Sequence, residues 1–74
     1  MADTLMWEVR AAPGRRDALA SWVVEHVPGP AEVYLGGQDR VVVIARGASR
    51  LPEPPAELLA RPVAQWPFTH HRSL

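Results

Sequence analysis

Prolines partition this chain of 74 residues before any other feature does. They stand at Pro13, at Pro28 and Pro30, at Pro52, Pro54 and Pro55, and at Pro62 and Pro67. Proline lacks an amide hydrogen and pushes the residue before it out of helical geometry. Each group therefore ends a helix or confines a strand to an edge. Regular elements must form in the segments between.

The first segment, residues 5–10, alternates Leu5, Trp7 and Val9 with Met6, Glu8 and Arg10, the period of a half-buried strand. Ala12-Pro13-Gly14 closes it. Over residues 15–27 the period changes, and Leu19, Trp22, Val23, His26 and Val27 follow the spacing of one helical face. Pro28-Gly29-Pro30 stops that helix. Residues 32–35 read as a short second strand and residues 40–46, with four successive β-branched side chains from Val41 to Ile44, as a third. Gly36-Gly37-Gln38-Asp39 between them suits a hairpin loop, because glycine supplies positive φ. Residues 47–54 read as a loop. Pro55 can start a helix, so residues 56–61 are expected to make about two helical turns before Pro62. Residues 63–72 read as a last strand, at an edge because Pro67 cannot donate to a ladder.

The order strand, helix, strand, strand, helix, strand is the signature of an α+β fold. Two right-handed split β-α-β units interleave it into a ferredoxin-like βαββαβ arrangement, a four-stranded antiparallel sheet with both helices on one face. Residues 1–74 are expected to form a single such domain, the last strand beside the first.

Composition narrows the function classes. No cysteine is present, which removes disulfides, thiolate metal sites and a cysteine nucleophile. Eight arginines balance eight acidic residues, there is no lysine, and a neutral chain gives no electrostatic case for nucleic acid or an anionic membrane. The N-terminal stretch has neither a basic region nor a long apolar run, so it does not read as a signal peptide, and a cytoplasmic location is expected. Arginine without lysine, with abundant Ala, Gly and Pro, points to a GC-rich bacterial coding sequence.

With 47% hydrophobic residues, the chain is more apolar than one core of this size requires. Leu5, Trp7, Val9, Val33, Leu35, Trp66 and Phe68 are expected to face the helices. Met6, Tyr34, Val42 and Ile44 then fall on the opposite sheet face. A sheet apolar on both sides is normally covered on both sides. Packing against a second copy through Met6, Tyr34, Val42 and Ile44 would also relieve the small core of a short chain. A homodimer is therefore expected.

The stretch Glu8-Val9-Arg10-Ala11-Ala12-Pro13-Gly14-Arg15-Arg16, running into Leu19 and Trp22, resembles the opening of dimeric α/β-barrel proteins, above all the antibiotic biosynthesis monooxygenase-like branch. Glu32-Val33-Tyr34 and Arg40-Val41-Val42-Val43-Ile44 resemble that family's central hairpin. The chain would be a short variant, with room for only a small second helix between Arg46 and Pro62. The resemblance implies sheet-on-sheet dimers. It also implies, for some members, cofactor-independent monooxygenase or isomerase chemistry on aromatic compounds. No catalytic motif of the family maps onto a residue here.

His26 and His70 are the candidate catalytic residues. By topology the end of the first helix and the end of the last strand meet at one end of the sheet, and by periodicity both imidazoles point between helix and sheet. Trp7, Trp22, Trp66 and Phe68 would wall a pocket there for a hydrophobic, aromatic ligand. The alternative is two core-edge histidines bonded to backbone, with the tryptophans as plain core. His70 and His71 point to opposite sides of a strand and cannot chelate one ion, so no metal site is expected, nor any cofactor. Arg15 and Arg16 read as solvated. Gly36-Gly37 lacks the lysine and helix of a phosphate loop, and Ser21 has no base partner in sequence. Two function classes follow: a small enzyme acting on an aromatic compound, or a non-catalytic ligand-binding or protein-assembly domain. RNA binding is disfavoured by the aliphatic third strand and the absence of net charge.

Overall fold

Every second residue of the first strand, β1 (Thr4–Arg10), is buried, and this alternation sets the orientation of the whole sheet. The computed structural model describes residues 3–47 and 50–74; residues 48 and 49 of the expected loop 47–54, and Met1 and Ala2, lie outside them. After β1 the chain reverses through Ala12-Pro13-Gly14-Arg15. Arg15 N–H donates to the Ala12 carbonyl at 2.9 Å and Gly14 takes φ of 72°. Proline followed by a left-handed glycine is the type II combination. Helix α1 (Arg16–His26) follows, burying Leu19 and Val23 with Trp22 and Val27 packed at the margin. Val27 leaves the helix with extended backbone, as expected for the residue before Pro28.

Strands β2 (Ala31–Gly36) and β3 (Arg40–Arg46) form a hairpin. Gly37, with φ of 58°, opens its loop. Arg16 stays partly in solvent, and its Nη1 also donates to the Gly37 carbonyl at 2.5 Å, tying the helix start to the hairpin. The last strand is β4 (Ala64–Phe68). The four strands are antiparallel in the order β2-β3-β1-β4, so the first and third strands are central. Leu5, Trp7 and Val9 from β1 and Val41, Val43 and Ala45 from β3 are buried on the helix side with Leu19, Val23, Leu51 and Leu58. Over the described residues the fold is α+β, with one four-stranded antiparallel sheet and one α-helix.

The second helix expected over residues 56–61 is a single 3₁₀ turn, Ala56–Leu58. Pro54-Pro55 and Pro62 leave too few residues to nucleate a helix, and the backbone finds better partners on β1. Ala12 N–H donates to the Leu58 carbonyl and Ala60 N–H to the Arg10 carbonyl, each at 2.8 Å. Ala11 and Leu59 form a bridge. The last strand is also shorter than the expected 63–72. Its neighbour in the sheet, β1, begins at Thr4 opposite Phe68, and a strand ends where its partner does. Among the described residues no helix is long and apolar enough to cross a membrane.

Candidate functional site

The ladders assign every strand side chain to one of two faces, because residues directly paired across an antiparallel ladder point the same way. Away from the helix, β2 contributes Glu32 and Tyr34, and β3 contributes Arg40, Val42, Ile44 and Arg46. On the same face β1 places Met6 opposite Ile44, and β4 places Trp66 opposite Met6 and Phe68 opposite Thr4. The result is an apolar band running diagonally from Tyr34 through Val42, Ile44 and Met6 to Trp66 and Phe68. Tyr34 is 54%, Trp66 43% and Phe68 50% exposed. Neither the helix nor the 3₁₀ turn covers it.

Charges bracket the band in opposite-sign pairs. At one end Arg40 Nε meets Glu8 Oε2 across the ladder; these two atoms are buried and have no hydrogen-bond partner beyond this contact among the described residues. Arg10 Nη1 donates to Asp39 Oδ1 at 3.0 Å beside them. At the other end Arg46 approaches Glu32 at 4.0 Å. There the face runs into a cleft of about 420 Å³ lined by Asp3, Thr4, Ile44, Arg46 and His70. Asp3 Oδ1 accepts the backbone N–H of His70 at 2.9 Å and the Thr4 hydroxyl at 3.0 Å. The His70 amide, then the Thr4 hydroxyl, hold its carboxyl below the usual aspartate value.

Met6, Tyr34, Val42 and Ile44 thus stand on one face. The residues expected to wall a pocket do not come together. Trp7 is buried in the core and Trp22 lies on the helix side, whereas Trp66 and Phe68 lie on the far side of the sheet. The β4 residues that point toward the helix are Gln65, opposite Trp7, and Pro67, opposite Leu5. Alternation identifies two sets of β4 residues without saying which set faces inward. Gln65 is kept inside because its Oε1 accepts the Leu51 N–H at 3.2 Å, satisfying the loop that replaces the second helix.

The two histidines are likewise apart. His26 is exposed at the end of α1. Its ring stacks on Trp22 at 4.5 Å with 13° between planes. Its Nδ1 lies 2.8 Å from the Trp22 carbonyl, an acceptor, so Nδ1 carries the proton. His70 lies past the end of β4 on the open side of the sheet, its Nε2 at 3.0 Å from Ser73 Oγ. Neither imidazole points between helix and sheet, because β4 ends before His70 and Trp22 takes His26 along the helix surface. Among the described residues no three His, Cys, Asp or Glu side chains converge on a common point.

No protein-family model, curated protein or solved structure matches the chain.

What sequence reasoning missed is the pair of aromatics, Trp66 and Phe68, on the open face. No signal in the sequence gives their side, because Gln65 on the other parity would read as an outward polar residue and turns inward only where the Leu51 N–H reaches it.

Proposed function

We propose that this chain is an assembly domain of ferredoxin-like arrangement that dimerises by laying its open sheet face against the same face of a second copy. The observation that carries this reading is the band formed by Tyr34, Val42, Ile44, Met6, Trp66 and Phe68, with three half-exposed aromatics on a face that neither the helix nor the 3₁₀ turn covers. Solvated sheet faces ordinarily carry polar side chains. Aromatic residues and methionine are the types enriched at the centre of protein interfaces, inside a polar rim.

Three further facts support the same occupant. The rim charges are already paired in opposite signs within one copy, so a two-fold contact brings no uncompensated like charges together. The molecule exposes 5114 Å², against about 4,500 Å² for a typical folded monomer of its mass. The strand order β4-β1-β3-β2, with a crossover helix, and the resemblance of residues 8–16 and 32–44 to dimeric α/β-barrel proteins both favour sheet-on-sheet contact.

Catalysis on an aromatic compound, the other reading of the sequence, would need a chamber between helix and sheet. That layer is occupied by Trp7, Leu19, Val23 and Val43, each without exposed surface. The experiment that tests the assembly reading is light scattering after size exclusion on wild type and on Ile44→Glu. Wild type should have twice the mass of the variant, with matching far-ultraviolet circular dichroism. Equal masses for the two proteins would overturn it.

A further inference from the structure

We infer that the free edge of β2 is a second self-association site, pairing antiparallel with β2 of another copy to join two sheets into one.

The backbone phase of the hairpin shows which groups are available. Arg46 N–H donates to the Pro30 carbonyl at 3.1 Å, in line with the register that pairs Ala31 with Ala45. Hydrogen-bonded positions alternate along an antiparallel ladder. Glu32, Tyr34 and Gly36 therefore turn their backbone groups toward β3, and Ala31, Val33 and Leu35 turn theirs outward, where the sheet of described residues has no further strand. The same outward residues place their side chains on the helix side, opposite Ala45, Val43 and Val41. There α1 packs over β3 and the 3₁₀ turn, leaving Val33 38% and Leu35 51% exposed. A free backbone edge and an uncovered apolar row thus coincide on one strand.

Edges of natural sheets are usually blunted by lysine, proline, bulges or a covering loop. The sequence Ala31-Glu32-Val33-Tyr34-Leu35-Gly36 has none of these. Its one charge, Glu32, points to the open face near Arg46. The opposite edge differs: β4 carries Pro67, which removes a donor. With one edge open and the other blunted, the contact that fits is β2 with β2, which closes on itself about a two-fold axis and cannot propagate by that edge alone. An axis at Tyr34 sets Val33 across from Leu35 of the second copy, and Leu35 across from its Val33. Each pair exchanges both its backbone hydrogen bonds, and four aliphatic side chains meet on the helix side. The helices stay on one face of the joined sheet.

A six-residue strand offers a strip only about 20 Å long, short of the roughly 1,200 Å² that a stable specific interface buries. The edge contact is therefore the weaker one, forming at high concentration between dimers joined through their open faces. Sedimentation equilibrium from low micromolar to near-millimolar protein separates the two contacts, using wild type, Leu35→Lys, Val33→Pro and Trp66→Glu. Val33→Pro removes an outward N–H and leaves the β2–β3 ladder intact. Wild type should rise from two to four times 8.2 kDa and above, because each face-joined dimer carries two β2 edges, while both β2 variants should stop at two. Trp66→Glu should rise from one only to two, which keeps the edge testable even where the face contact is lost. The proposal is overturned if wild type and Leu35→Lys have the same mass at every concentration. It is overturned equally if amide exchange at Val33 and Leu35 fails to slow as concentration rises.

Discussion

Trp66 stands directly across the β1–β4 ladder from Met6, on the side of the sheet away from the helix, and Ile44 on β3 stands across from Met6 on its other side. Large aromatics are among the residues in which interface energy concentrates, with truncations of such residues costing about 2 kcal/mol or more. Trp66→Glu should therefore weaken self-association by at least about 30-fold, since each 1.4 kcal/mol is tenfold. Because Trp66 contributes nothing to the buried core, the melting temperature of the separated chain should barely move. Concentration-dependent sedimentation beside thermal melts checks both halves.

Trp7 is the largest side chain of the core, and its indole Nε1 is buried with no hydrogen-bond partner among the described residues. Trp7→Ala should cost about 3–5 kcal/mol through the cavity it leaves, most of the stability of a small domain. Trp7→Phe keeps most of the volume and removes an unsatisfied donor, so it should cost only about 1 kcal/mol. Denaturant unfolding of the two variants measures the gap. Equal losses would contradict the assignment of the cost to the cavity.

The legibility of the fold follows from how each residue's environment is determined. Strands β1 and β3 can be read from alternation because Leu5, Trp7 and Val9 contrast with Glu8 and Arg10, and because four β-branched residues in succession disfavour helix. The start of α1 is legible in Pro13-Gly14, and its end in Pro28. The side of β4 is not legible, since Trp66 and Phe68 on one parity and Val63 and Pro67 on the other are all apolar. Only the pairing of Met6 with Trp66 decides. The second helix is misread for a related reason. Residues 56–61 have helical propensity, but propensity is a weak prior against the hydrogen bonds that Arg10 at the end of β1 and Ala12 in the following turn make with them. The separation of His26 from His70 follows from the same ambiguity in β4 and from the early end of that strand.

Asp3 gives a pH dependence whose sign is set by its partners. Its carboxyl is held below the ordinary value by the His70 N–H and the Thr4 hydroxyl, so the stabilisation is present above the unfolded-state value. It is lost as pH falls through the lower folded-state value. In a titration followed by nuclear magnetic resonance, the His70 amide should shift with a midpoint below about 3.9, the unperturbed aspartate value. Asp3→Asn should abolish that transition. A midpoint at or above the unperturbed value would remove the hydrogen bond from the account.

Two glycines should respond differently to a methyl group. Gly14 has open space where a Cβ would stand but holds φ of 72°, so Gly14→Ala should cost about 1–2 kcal/mol from backbone strain alone. Gly36 has no positive φ, and an added Cβ there meets Arg40 side-chain carbons at 3.6 Å or more, an ordinary contact. Gly36→Ala should change stability by less than about 0.5 kcal/mol. Paired thermal melts compare them.

If the open face of the sheet joins two copies of this chain, as proposed, the mass in solution must show it. Sedimentation equilibrium of the unmodified protein at low micromolar concentration tests it most directly. The mass should be about twice 8.2 kDa and fall to the single-chain value in Trp66→Glu. A wild-type mass of 8.2 kDa throughout that range would contradict it.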